Sequence, residues 1–281
     1  MRAVQRPANA RYTGDGMKLH RRTLRLAGRD HTVVGLRPGA RVRFSTNLFH
    51  GTWHVLSDPR GARVLGRLLW GLSYQARPGT LVVVDRPFLV PTPFDADPAD
   101  PIVLVPAWHT PFTGKTARDL ARRLPVRRPP DGTVRWRTHG LDDALADWQE
   151  WFRAEWWKDR CDGRVKRLHG LVALMPRTPL EMRDWAVLAG GMNPSGRHGM
   201  DYVYFGSWGH GSEGEIQVFR GFHRDVSVSR RARADVLACP DAPADPAELR
   251  PLIWDRHDLI KRRRAAAAAT RRAGGAPAPG P

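Results

Sequence analysis

His50 and His54 stand four residues apart in "FHGTWHVLSD", and Asp58 follows four further on. On a helix that spacing would bring two imidazoles and a carboxylate to one face as metal ligands. Gly51 between them and Pro59 just after argue instead for a loop ahead of a helix start, where the spacing carries no such meaning. A second candidate is "HTPFTGKT", residues 109–116, between an apolar strand-like run and a helix-like one. That is the setting in which backbone amides cradle phosphate and a Lys-Thr pair completes the contact. His109 stands where the first glycine of such a loop belongs, and Phe112 adds bulk where the backbone must come close. A looser anion site at Lys115 and Thr116 is therefore the expectation.

These signals gain weight in combination. In an open parallel sheet, ligands bind outside the carboxyl ends of the strands. The loops leaving the expected strands carry His50 and His54, then Asp85, Asp95 and Asp97, then His109, Lys115 and Thr116. Imidazoles, carboxylates and a lysine near a helix start suit metal-assisted or acid–base chemistry on a phosphoester. His50, His54, Asp85 and His109 are the catalytic candidates on this reading, with a divalent metal as the candidate cofactor. A rival cluster of Asn193, Ser195, Arg197, His198, His210 and Glu213 lies on two neighbouring turns. It could bind a polar ligand, although turns of this composition are ordinarily solvated.

Within that cluster "GMNP", residues 191–194, resembles the first active-site stretch of single-strand-selective uracil-DNA glycosylases. The resemblance implies a basic protein acting on DNA, with Asn193 positioning the attacking water. It covers four residues. In that family the stretch lies near the start of the domain, whereas here about two-thirds of the chain precedes Asn193 and no His-Pro-Ser partner segment follows. The same residues also read as a helix end and a turn.

The elements that would position these groups follow from periodicity. "ARVRFST" (40–46) alternates as a strand does. Ser57 or Asp58 then caps a helix with Pro59 at its first position and Gly79 beyond its end, and Leu65, Leu68, Leu69, Leu72 and Ala76 form its apolar face. "LVVV" (81–84) and "IVLV" (102–105) are continuous apolar runs, the pattern of strands buried on both faces. Five prolines in residues 86–101 stiffen the connection between them. Residues 116–124 read as a helix, 133–138 as a strand, and 141–160 as one long helix with Leu141, Leu145, Trp148, Phe152 and Trp156 along its core side. Residues 168–175 read as another buried strand. Thr178 to Glu181 matches a capping box that opens a helix ended by Gly190 and Gly191, and 201–205 with 215–219 form a strand pair.

The expectation is an α/β fold: a mixed, largely parallel sheet flanked by helices, with an antiparallel strand pair near residues 201–219 and basic terminal arms. Residues 1–25 are the basic N-terminal arm, 26–250 a single α/β domain with a candidate sub-boundary near 125–132, and 251–281 a basic helix with a disordered tail. Met17 is an alternative start, in which case residues 1–16 carry no structure.

Charge supplies the functional lead. The formal net charge is +18, and residues 1–25 and 256–281 each contribute +6. The 230 residues between them hold only the remaining +6. Of the 46 basic residues only five are lysine, a bias that a GC-rich genome produces without selection, yet such a bias does not place the surplus at the two ends. Arg21, Arg22, Arg262, Arg263 and Arg264 are the candidate nucleic-acid contacts, and nucleic acid or another polyanion the expected partner. The alternative is a small-molecule or metal-dependent enzyme with its site at the carboxyl ends of the strands and incidental positive charge. Cys161 and Cys239 are too far apart for a CxxC site, and no apolar run is long enough for a signal or a membrane span, so a cytoplasmic location is expected.

Overall fold

A computed structural model describes residues 16–155, 163–196, 198–205 and 214–274. The first fifteen residues of the expected N-terminal arm and the end of the C-terminal tail lie outside them.

The chain opens with a hairpin of β1 (Gly16–Leu26) and β2 (Arg29–Gly35), joined by Ala27 and Gly28. A second hairpin joins β3 (Phe44–Phe49) and β4 (Thr52–Ser57) through His50 and Gly51. Both residues of each two-residue loop have positive φ, the conformation whose twist matches that of the flanking strands. Next comes α1 (Pro59–Ser73), capped by the Asp58 carboxylate, which accepts from the Gly61 amide at 2.7 Å. After β5 (Thr80–Val84), the proline-rich segment leads to β6 (Ile102–Leu104), then α2 (Gly114–Ala121) and β7 (Gly132–Arg137).

The expected helix over 141–160 is broken. It forms as α3 (Leu141–Ala146) and α4 (Trp148–Glu155), because Asp147 leaves the helical region at φ −129° and ψ 60°. The break changes which aromatics point inward. Trp148 is 52% exposed, while Trp151 packs on Trp70 and donates to Asp184 at 2.9 Å. The expected strand 168–175 is likewise a hairpin, β8 (Arg164–Leu168) and β9 (Leu171–Met175), turning at His169 and Gly170. In α5 (Pro179–Gly191) the Thr178 hydroxyl accepts from the Glu181 amide, as the capping box requires. The Glu181 carboxylate is held by the backbone of Thr178 in return, and also accepts from the amides of Gly163 and Arg177. Last come β10 (Met200–Tyr204), β11 (Gly214–Phe219), α6 (Phe222–Leu237) and α7 (Pro246–Gly274).

Among the described residues the strands form two sheets. One has the order β7-β1-β2-β5-β6-β9-β8, the other β10-β11-β4-β3. The fold is mixed α/β, as expected, and β10 and β11 are the expected antiparallel pair. In the larger sheet, however, only β2 with β5 and β6 with β9 run parallel, and antiparallel pairings are the majority. The expectation of a largely parallel sheet came from buried apolar runs, which report burial on two faces and not strand direction.

The N-terminal arm also needs correction. Residues 16–25 belong to β1, an interior strand between β7 and β2. Met17 and Leu19 face the main core, where one face of each sheet meets α1 and α5. Leu24 and Leu26 face the opposite side, beneath Ala117 and Leu120 of α2. The strand passes from one core to the other along its length. In the main core α1 crosses α5 closely enough that a Cβ on Gly66 would lie 2.7 Å from the Ala186 carbonyl. On the outer face of the small sheet, Phe222 and Val226 of α6 cover Leu56, and α7 packs on α6 through Leu249 and Ile253.

Candidate functional site

The structure scatters the residues expected to converge. Asp85 accepts from the amides of Arg86 and Val126, and so ties the end of β5 to the segment before β7. His109 bridges the Gln75 carbonyl at 2.8 Å and the Thr110 hydroxyl at 2.9 Å, pinning its loop to the one after α1. Thr116 is buried; its amide is taken by the Thr113 hydroxyl, and Lys115 beside it is exposed. An anion approaching α2 would meet a helix start already capped by its own side chain. Asp58 caps α1, which leaves it no part in a ligand trio with His50 and His54. Among the described residues, no group of three or more His, Cys, Asp or Glu could hold a metal ion.

The second expected cluster is closed on itself. Asn193 Oδ1 accepts from both the amide and the hydroxyl of Ser195, and the Asn193 amide donates to Asp201 at 2.8 Å. The asparagine holds a turn together, which is what its place after α5 calls for. Arg220 donates to the carbonyls of Pro194, Ser195 and Gly196 and braces the same turn. His198 is exposed, and Arg197 and His210 lie outside the described residues.

Two other groupings do form. The first runs across the small sheet. Tyr204, Glu215, His54 and Asn47 are register partners on successive strands, so their side chains share one face. His54 is 3% exposed and Glu215 5%, with Nε2 and Oε2 3.4 Å apart. Burial, with His50 adding a little, lowers the His54 pKa to about 4, and burial raises that of Glu215. At neutral pH the imidazole is uncharged. The other Glu215 oxygen accepts from Gln217 at 2.8 Å, and Asn47 Oδ1 is buried with no hydrogen-bond partner among the described residues.

The second grouping is cationic. Lys18, His20 and Arg22 alternate onto the side of β1 opposite Leu19, and Lys18 is paired across the sheet with Arg135 of β7. Arg137 pairs opposite Gly16, and Arg37 follows β2 two residues beyond Gly35, the register partner of His20. The α2 helix covers this side of the sheet only from Leu24 onward. Partial burial, then Arg22 and Arg37, hold the His20 pKa below the usual imidazole value. Among the described residues, none of these six side chains has an ion-pair partner. Some arginines elsewhere are paired, among them Arg256 and Arg231 with Asp235, Arg250 with Asp95 and Asp97, and Arg233 with Asp97.

No family model matches this chain, and neither a curated protein nor a solved structure matches it. The glycosylase-like stretch at Asn193 thus gains no support from comparison, and the site rests on geometry and charge. Of the expected nucleic-acid contacts, Arg22 belongs to the cationic face and donates through Nε to the Arg128 carbonyl at 2.8 Å. Arg21 is exposed on the other side of β1, and Arg262, Arg263 and Arg264 are exposed on α7 past its packing against α6. Sequence reasoning missed Lys18, Arg37, Arg135 and Arg137 as a group, because only the pairing of β1 with β7 brings residues 18–22 beside 135–137. It missed Glu215 because the parallel pairing of β4 with β11 joins segments 161 residues apart.

No helix among the described residues is long and apolar enough to cross a membrane.

Proposed function

We propose that this protein binds nucleic acid through the phosphate backbone, using the face formed by Lys18, His20, Arg22, Arg37, Arg135 and Arg137. The exposed Arg262, Arg263 and Arg264 serve as an additional contact. The observation that carries the reading is the charge of that face, which no carboxylate among the described residues compensates. Fixed cations on neighbouring strands repel one another, and among the described residues these six meet no carboxylate, whereas Arg233, Arg250 and Arg256 each meet an aspartate. A polyanion relieves the repulsion and releases its own counterions.

The test is a fluorescence-anisotropy titration with a labelled 20-mer across a potassium chloride series. Binding should weaken steeply with salt. The triple variant K18A/R135A/R137A should lower the slope of log K against log salt by about 3. An unchanged slope would overturn the proposal. Because β1 is an interior strand, the shortest truncation that tests the terminal charge must retain residues 16–25.

A second reading, acid–base chemistry on a small molecule, is favoured by His54. It is a buried neutral imidazole beside a carboxylate, with the orphaned Asn47 oxygen on the same face. A neutral imidazole can accept a proton at pH 7. On this reading, thermal stabilisation by a small-molecule ligand would be abolished in His54→Gln and preserved in K18A/R135A/R137A.

A further inference from the structure

Next to the cationic face lies a groove of about 620 Å³ between the last turn of α1 and the outer edge of β7. Its floor exists because residue 71 is glycine: a Cβ there would lie 2.7 Å from Trp136 Cε3, so α1 rests directly on the indole. Trp70 Nε1 donates to the His139 carbonyl at 2.9 Å and fixes the segment leaving β7. The rims differ in character. On one side is Tyr74, which is 58% exposed and has the Arg183 guanidinium 5.3 Å from its ring centroid. On the other are Arg135 and Arg137, which also belong to the cationic face. Among the described residues β7 pairs only with β1, so alternate backbone N–H and C=O groups of its outer edge face away from the sheet.

We infer that this groove takes an unpaired nucleobase, and that the protein therefore binds single-stranded nucleic acid in preference to duplex. The inference rests on the proposed binding of phosphates by the neighbouring cations. An exposed tyrosine ring offers a stacking surface to any base, and edge backbone groups offer hydrogen bonds to its rim. The two arginines stand where the phosphates flanking a base would run. The volume lies within the range of about 300–1,000 Å³ typical of small-ligand sites. In a duplex each base is stacked and paired within the helix and cannot reach Tyr74.

The experiment compares three labelled ligands of equal length at one salt concentration: a 20-nucleotide thymidine strand, a 20-nucleotide strand of abasic sites, and a 20-base-pair duplex. The thymidine strand should bind about 10-fold tighter than the other two. Tyr74→Ala should remove that preference while leaving duplex affinity unchanged, and Tyr74→Phe should preserve it. Circular dichroism confirms the fold of each variant. Equal affinity for all three ligands, or a preference indifferent to Tyr74→Ala, would overturn the inference while salt-dependent binding kept the wider proposal intact. Failure to bind any of the three would overturn both.

Discussion

The cationic face of β1 and β7 and the His54–Glu215 row are built by the same device, a line of side chains in register across a sheet, and they end in opposite electrostatic states. The first lies largely open to water. The mutual repulsion of its cations is tempered by solvent and salt. The second lies under 3% and 5% exposure, where burial suppresses the charge of the imidazole and raises the pKa of the carboxylate. Solvent access, more than residue type, decides whether a polar row on a sheet keeps its charge or is pushed toward its neutral forms.

The sharpest test of that contrast is pH. With a folded pKa of about 4 against 6.5 unfolded, His54 costs nothing above pH 6.5, where both states are neutral. As pH falls below 6.5 the unfolded chain takes up the proton first, and stability falls by about 3 kcal/mol by pH 4. His20 and His257 have lowered values and steepen the fall, so the test is a difference. Urea melts of His54→Gln should show a decline smaller by about 3 kcal/mol over that window. An unchanged decline would mean that the imidazole is solvated.

Glu215 should act with the opposite sign. Its folded pKa is raised, so its contribution is complete below the unfolded carboxylate value and is lost as pH rises through the folded one. Glu215→Gln should accordingly gain stability over the parent chain at pH 8 and lose that gain on acidification, measured by the same melts. A smaller effect is expected at Asn47, whose buried oxygen has no partner among the described residues. Asn47→Leu should be neutral or stabilising by about 1 kcal/mol. A clear loss of stability would show that the oxygen is satisfied in solution. The smallest effect belongs to the open face: Lys18→Ala with Arg135→Ala should change stability by no more than about 0.5 kcal/mol. Added salt should stabilise the parent chain more than this variant, since it screens a repulsion the variant lacks.

How much of this was legible in the sequence depended on whether a signal was local. The helix starts at Asp58 and Thr178 were readable because a cap acts within three residues of itself. Strands β5 and β6 were readable as unbroken apolar runs, since both their faces are covered. Strand β1 was not, because its buried residues change phase: Met17 and Leu19 serve one core, Leu24 and Leu26 the other, and no single alternation spans it. The hairpins at His50–Gly51 and His169–Gly170 hid because histidine is an uncommon first residue for such a turn, although a following glycine makes it workable. Helix α6 buries Ser229 and Ala232 beside its larger apolar groups, and its stripe is correspondingly faint. The site was the least legible part. Its charge excess could be counted along the chain, but its neighbours could not.

The cationic face is spelled by residues 18–22, residue 37 and residues 135–137, which come together only when β7 docks beside β1. An unfolded chain carries the same number of positive charges and attracts a polyanion loosely, but without the spacing that fits consecutive phosphates. Folding therefore adds no charge to this protein. It adds alignment, and a bound strand that rewards alignment holds the sheet closed for as long as it stays.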